Sequence, residues 1–277
     1  MTRHNLMDNK HIQLLFSNEI NYTDEAVSVP KKSTDVQYKT NWVIIMALND
    51  GYLDFFLNWF SSYKQSNVLV PIVLVAEDKA VYDKIKNFQF SMITVKESNN
   101  SEINSTVVFQ SRAFMDLTLR RHTYVLNHLL TGRDVIFSDT DTVWLKNPVP
   151  YFTGDYDIWM QYDTPEILCP GTMAVKSNNE TIDFFRKLTR GLETYAYSDQ
   201  PFLNDRLKKS NLRIRGLDKN LFPSGKLYFQ FLTKKQKAEV VVVHNNWIKG
   251  HDRKVDRFKR FNLWFNDRTI KKIRRKT

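Results

Sequence analysis

Apolar residues in this chain fall into short continuous runs, and the segments between them repeat at helical spacing. Trp42 to Leu48 is one unbroken run, and it ends at Asn49-Asp50-Gly51. VLVPIVLVA is a second, with a polar exit at Glu77-Asp78, and Val135 to Phe137 is a third. Runs of this length read as strands buried on both faces. SMITVKES, DYDIWMQYD, GTMAVKS and LRIRGLD are further strand candidates, and residues 238–243 give a last buried strand with His244 at its exit. Between them, Leu53, Phe56, Leu57 and Phe60 recur at helical spacing, and a helix is expected over about residues 79–87. Residues 111–131 are helical in pattern and stop at Gly132, a suitable residue just past a helix end. NNETIDFFRKLTRGL has a core stripe of Ile182, Phe185 and Leu188, with Ser177 and Glu180 at capping-box spacing. SDQPFLNDRL starts another helix, capped by Ser198 or Asp199. Strands alternating with helices predict an α/β fold with a parallel sheet. Ligands of such sheets bind beyond the carboxyl ends of the strands, so the exits at residues 49–52 and 139–141 are expected to share one edge.

The stretch DVIFSDTDTVWLKNP carries the clearest chemistry. Asp139 and Asp141, separated by Thr140, follow one apolar run and precede another, Val143 to Leu145. Two carboxylates at the end of a buried strand are costly unless something cationic lies between them. Oxygen ligands of this kind suit magnesium or manganese. The plain alternative is a turn with two solvated aspartates.

A helix before that strand brings a cation to the same place. Residues 134–139 rise roughly 20 Å at about 3.3 Å each, and a helix returning over that length needs about 13 residues. Counting back from 131 puts Arg120 and Arg121 level with Asp139, and Arg112 well past it. Arg121 has apolar neighbours at Leu117, Tyr124 and Val125. It reads either as a diphosphate or sugar contact or as a snorkelling surface arginine.

Composition narrows the classes. With 277 residues and 42% hydrophobic content, the chain can bury a large core. The formal net charge of +11 favours anionic partners, although much of the excess lies in Lys234, Lys235, Lys237 and the tail after residue 270, which read as solvated surface. The single cysteine, Cys169, rules out an internal disulfide or a cysteine-built zinc site. No apolar stretch reaches the roughly 18 residues of a membrane span. Sequons at Asn21, Asn99, Asn104 and Asn179 are near chance frequency and carry no weight.

FSDTDTVWLKNP resembles the nucleotide-diphospho-sugar transferase family that includes plant rhamnogalacturonan-II xylosyltransferases and extensin arabinosyltransferases. Three more segments are similar to that family in the same order: GTMAVKSNNETIDFF, SDQPFLN and HNNWIKGHDRK. The resemblance covers about residues 41–262. It implies a GT-A fold, a Rossmann-like mixed sheet flanked by helices. It implies a retaining transferase that moves galactose, xylose or arabinose from UDP to a glycan or glycoprotein hydroxyl. Asp139, Asp141 and His244 would hold Mn2+ or Mg2+. Ala47, Asn49 and Tyr52 would hold the uridine, and Arg121 would face the donor sugar. Ser138, Thr140, Asn246, Gly250 and Lys254 would complete the donor site. Asp199 and Gln200 would face the anomeric centre, positioning the sugar and stabilising charge. Gly171 and Thr172 would line the acceptor side. There the run Cys169-Pro170-Gly171-Thr172-Met173 departs from the family, which often has an aromatic soon after the glycine, so the acceptor is expected to differ. Relatives in the Golgi carry an N-terminal membrane anchor. The chain is therefore expected in the cytoplasm if complete, or in the Golgi lumen if an anchor has been removed.

The expected organisation is a polar leader over 1–38 with a helical turn at 11–16, one GT-A domain over 39–265, and a basic tail over 266–277. The domain would divide into a nucleotide half, 39–141, and an acceptor half, 142–265. Two rival functions remain. D-T-D-T-V also fits haloacid-dehalogenase-type phosphohydrolases, where the first aspartate is a nucleophile. That motif normally follows the first strand of its domain, whereas here three strand candidates precede it. A basic nucleic-acid-binding protein is compatible with the charge, but no nucleic-acid-binding motif accompanies it.

Overall fold

The computed structural model describes residues 40–86, 92–98, 106, 111–192 and 198–266. The leader with its expected turn at 11–16, the tail beyond 266, and the sequons at Asn21, Asn99 and Asn104 lie outside the described residues.

Strands β1 (Trp42–Leu48), β2 (Ile72–Ala76), β3 (Ile93–Glu97) and β4 (Asp134–Ser138) pair in parallel in the order β3-β2-β1-β4. Beyond β4 the sheet turns mixed. Strand β7 (Leu168–Val175) is antiparallel to β4, β6 (Ile158–Tyr162) is antiparallel to β7, and β8 (Ile214–Gly216) runs parallel to β6 at the far edge. The carboxyl ends of β1, β4 and β6 and the start of β7 therefore meet at one edge. A separate two-stranded ribbon joins β5 (Thr142–Trp144) to β9 (Val242–His244), with Thr142 opposite His244.

Alternation along β1 sorts the core into two layers. Ile44, Met46 and Leu48 pack with Phe56, Trp59 and Tyr63 of helix α1 (Leu53–Gln65) and with Trp144 and Trp159. Val43 and Ile45 point the other way. They meet Val125 and Leu129 of α3 (Arg112–Leu129), Phe185 and Leu188 of α4 (Asn179–Leu192), and Leu203 of α5 (Asp199–Lys208). Helix α2 (Lys79–Ile85) connects β2 to β3. The expected α/β class and the shared edge hold.

Three local readings need correction. Residues 238–243 do not form one strand. After helix α6 (Gly225–Gln230), Thr233 and Gln236 make a reciprocal capping box that starts helix α7 (Lys234–Glu239), and the strand begins only at Val242. Helix α4 is capped by Asn178, whose Oδ1 accepts from Thr181 N at 2.8 Å, while the Ser177 hydroxyl donates to Leu129 O. Ser198 precedes α5 without making a side-chain cap, and Asp199 is engaged elsewhere.

The C-terminal segment closes on α1 through buried polar contacts. Asn58 is fully buried; its amide donates to Leu263 O at 3.0 Å and its oxygen accepts from Phe265 N at 2.6 Å. His251 opens helix α8 (His251–Arg260), and its Nε2 lies 3.0 Å from Asp54 Oδ2. That hydrogen bond raises the His251 pKa from 6.5 to about 9, against the effect of burial.

Two outcomes follow. Asn58→Ala leaves a buried carbonyl and a buried N–H unpaired, and it should lower unfolding free energy by about 2–4 kcal/mol, read as a lower urea midpoint at unchanged m-value. Because folding raises the His251 pKa, its charged form stabilises the fold. The wild-type advantage over Asp54→Asn should be complete below the unfolded pKa of 6.5 and lost as pH rises through about 9. Melting temperatures of both proteins across that window check it.

Candidate active site

The first exit turns just after β1. Asn49 O accepts from Tyr52 N at 3.0 Å, and Asp50 N donates to Asp78 at the β2 exit at 2.7 Å. Asn49 is buried, and Ala47 and Tyr52 are half-buried. Tyr52 packs its ring near His251.

The second exit is a tight turn after β4. Asp139 N donates to Gly171 O at 2.8 Å, while Thr142 donates both its N–H and its hydroxyl to Asp139 O. This turns Asp139 and Asp141 to one side and sends the chain into β5. Pairing of β5 with β9 then lays His244 across from them, and Asn245 N donates to Asp141 O. One ligand atom from each of Asp139, Asp141 and His244 falls within 4.8 Å of the others. His244 Nε2 lies 3.3 Å from Asp141 Oδ1 and 3.7 Å from Asp139 Oδ2.

Gln161 orients that imidazole. Its buried amide donates to Phe222 O and Pro223 O, which leaves Oε1 to accept from His244 Nδ1 at 3.2 Å. With the proton held at Nδ1, the Nε2 lone pair faces the carboxylates, as in a metal-binding histidine. Burial opposes charge on Asp141, Lys254 and His244, but their mutual attraction outweighs it. Asp141 is held well below the usual carboxylate range, and the Lys254 and His244 pKa values rise. The position next to Nε2 therefore favours a cation, whether a proton or a metal ion. Gly171 forms the wall: a Cβ there would overlap Asp139 Oδ2 and lie 2.6 Å from His244 Cε1. Carboxylates, an imidazole and a side-chain-free wall fit a divalent ion such as Mn2+ or Mg2+.

Arg121 ties this centre to α5. It is 8% exposed, so it is a buried ion-pair partner and not a snorkelling surface arginine. Its Nη1 lies 3.0 Å from Asp139 Oδ1, and its Nε lies 3.2 Å from Asp199 Oδ2. Burial works against the guanidinium charge, but Asp139 and Asp199 keep it protonated; Arg121 in turn lowers the Asp199 pKa against burial. His122, wholly buried, places Nε2 2.9 Å from the same Asp199 oxygen. Lys254 Nζ lies 2.5 Å from Asp141 Oδ2. Gln200 donates to Asp163 at 3.1 Å. Arg120, level with the edge as counted, pairs with Glu77 at the β2 exit.

Other predicted residues sit nearby in different settings. The Ser138 hydroxyl is fully buried and bonded to Thr142, so it shapes the turn. Thr140 is half-buried at the tip. Thr172 is opposite Ser138 in the sheet, and its buried Oγ1 finds no hydrogen-bond partner among the described residues. Asn246 directs its side chain to Asp163 and to Gly225 N, away from Asp139 and Asp141. Gly250, with φ of 89°, lets the chain turn into α8. Gln161, His122 and Asp163 escaped the sequence reading. Gln161 carried a usable signal, a polar residue inside the apolar strand IWMQY, while His122 and Asp163 carried none.

Residues 67–258 match the family model for nucleotide-diphospho-sugar transferases. The chain belongs to that family. The matched range spans Asp139, Asp141, Asp199, Gln200, His244 and Lys254. The transferase is 28% identical over 259 residues to an Arabidopsis thaliana UDP-D-xylose:L-fucose alpha-1,3-D-xylosyltransferase, covering 83% of this chain and 71% of that protein. It is 26% identical over 292 residues to a Dictyostelium discoideum UDP-galactose:fucoside alpha-3-galactosyltransferase, covering 85% of this chain and 45% of that one. Its fold is that of the galactosyltransferase LgtC, with a TM-score of 0.51 at 13% identity over 73% of this chain and 86% of that one. It is a GT-A glycosyltransferase. Family membership decides against the phosphohydrolase and nucleic-acid readings. Among the described residues, no helix is long and apolar enough to cross a membrane.

Gly171→Ala should fold but bind Mn2+ about 10–100-fold more weakly, measured by calorimetry with UDP present. Unchanged affinity would remove Gly171 from the wall of the centre.

Proposed function

We propose that this transferase is metal-dependent and retaining, and that it moves a sugar from UDP to a hydroxyl of a glycan or glycoprotein. The observation that carries the reading is the clustering of Asp139, Asp141 and His244, with Arg121 linking Asp139 to Asp199. Ala47, Asn49 and Tyr52 receive the uridine at the β1 exit, in the nucleotide half of residues 39–141. The same half supplies Arg121, Asp139, Thr140 and Asp141, and the acceptor half, 142–265, supplies Asp199, Gln200, His244 and Lys254. Asp139, Asp141 and His244 hold Mn2+ or Mg2+. An ion bound there would supply Lewis-acid neutralisation of charge on a leaving diphosphate. Lys254, beside Asp141, adds positive charge for the same phosphates, with Thr140 and Gly250 around them, while the Asn246 side chain is held by Asp163 and Gly225 N instead.

Asp199 and Gln200 position the donor sugar under the reacting face. One oxygen of Asp199 is already engaged by Arg121 and His122, which suits a fixed charge better than a covalent nucleophile. The bond from the anomeric carbon to the β-phosphate oxygen breaks, and the acceptor oxygen bonds to that carbon on the same face. The acceptor hydroxyl proton passes to the departing phosphate oxygen. The names of the relatives support xylose or galactose as donor sugar and an L-fucosyl unit as acceptor.

Purified protein should release UDP slowly from one of a panel of UDP- and GDP-sugars, and only with Mn2+ or Mg2+. Asp141→Asn should reduce that rate by about 10²–10³-fold. Full activity of Asp141→Asn at saturating metal would sink the metal assignment, and release from no donor would sink the transferase mechanism.

A further inference from the structure

We propose that Trp247 is the platform on which the acceptor sugar ring stacks, and that Asp163 is the latch that holds it. The inference rests on the transferase reading above. Trp247 lies three residues beyond His244, in the turn between β9 and α8, and is 49% exposed. Its φ is 60°. The other described non-glycine residues with positive φ, Asn67 and Asn262, are asparagines, which tolerate that region. A tryptophan there is strained, and such strain concentrates where a side chain must be presented.

The surroundings fix the indole. Its Nε1 donates to Asp163 Oδ1 at 3.0 Å. The same carboxylate accepts from Asn246 at 2.8 Å and, on its other oxygen, from Gln200 at 3.1 Å. Arg257 donates to the Asn246 carbonyl from beneath, and Gly225 N donates to Asn246 Oδ1. Lys226 Nζ sits 5.2 Å from the ring centroid, on one face. An exposed aromatic surface held this firmly loses little entropy when it binds.

Position and chemistry identify the occupant. Asp163 follows β6, which lies beyond β7 on the side of β4 away from β1. Nucleoside, cation and Trp247 are thus laid out in that order along the edge. Gln200 shares Asp163 with Trp247, so the indole borders the donor-sugar position on its outer side. With its N–H already satisfied, the indole offers only an apolar π-surface, which suits the C–H face of a pyranose ring. Asp163 keeps acceptor capacity for a sugar hydroxyl, since an ionised carboxylate has about four lone-pair sites and three donors reach it.

The test uses the full chain with Mn2+. Donor hydrolysis without acceptor is measured first, then transfer to methyl α-L-fucoside and to methyl glycosides of galactose, xylose and arabinose. Trp247→Ala should raise the acceptor KM about tenfold and leave both the donor KM and the hydrolysis rate unchanged. Trp247→Phe should recover most of that loss. Asp163→Asn, which puts an N–H where a lone pair is needed, should also raise the acceptor KM, together with a donor effect of its own through Gln200. In 15N-tryptophan-labelled protein with UDP and Mn2+, the indole signal absent from Trp247→Phe should move when the glycosides are added. No movement with any glycoside, or an unchanged acceptor KM in Trp247→Ala, overturns the proposal, as does a matching loss of donor hydrolysis in Trp247→Ala. Absence of donor hydrolysis and of UDP binding in the wild type defeats the transferase reading itself.

Discussion

A buried guanidinium between two carboxylates organises this protein. Arg121 reaches Asp139 at the end of β4 and Asp199 at the start of α5, two carboxyl side chains 60 positions apart in sequence that meet at one sheet edge. Removing one partner of such a group leaves uncompensated charge and costs about 3–5 kcal/mol in comparable cases. The pairing therefore dictates that α3 run far enough to bring residue 121 level with the strand exit. It also requires α5 to dock with its first turn facing the same point. Lys254 does for Asp141 what Arg121 does for Asp139, and it arrives from α8, the last described helix. The charges of the edge are thus satisfied by helices more than a hundred residues apart in the chain.

Much of this was legible in the sequence because it follows from length and periodicity. The run from Trp42 to Leu48 and the run before Asp139 read as buried strands, and parallel strands in an α/β fold share their exits. Counting rises per residue along a strand and a helix brought Arg121 to Asp139 without any knowledge of contacts. Gly132 ends α3 as its lack of a Cβ allows, with φ of 79°.

The rest was hidden because it depends on pairings that local pattern does not encode. Residues 238–243 look like one apolar strand, yet a Thr-x-x-Gln capping box two turns earlier carries a helix through Glu239. Gln161 and His244 meet across 83 positions, after β6 and β7 have reversed the direction of the sheet. Asn246 stands within a motif associated with phosphate, but Asp163 and Gly225 already use both ends of its amide.

The change from parallel to antiparallel pairing explains how one edge gathers the groups proposed for donor and acceptor. Parallel strands β3, β2, β1 and β4 need helical crossovers, so their exits are spaced turns, and β1 presents Asn49 and Tyr52 in one of them. Past β4, antiparallel β7 starts where β4 ends, which brings the glycine backbone of residue 171 against Asp139. Strand β6 then adds Gln161 beneath His244 and Asp163 just beyond it. The ribbon of β5 and β9 lies across this junction and carries His244 to the acidic pair from a second sheet. The cluster of Asp139, Asp141 and His244 is built from two sheets and closes only when both are in register. A one-residue slip of β9 against β5 would turn His244 to the opposite face and take Nε2 away from Asp139 and Asp141. The aromatic packing of Trp144 against Trp59 and the hydrogen bond from Trp144 N to Ser62 hold β5 to α1, and the pairs Thr142–His244, Val143–Val243 and Trp144–Val242 set β9 in register on it. The buried core under α1 and the chemistry at the sheet edge are in this way one constraint.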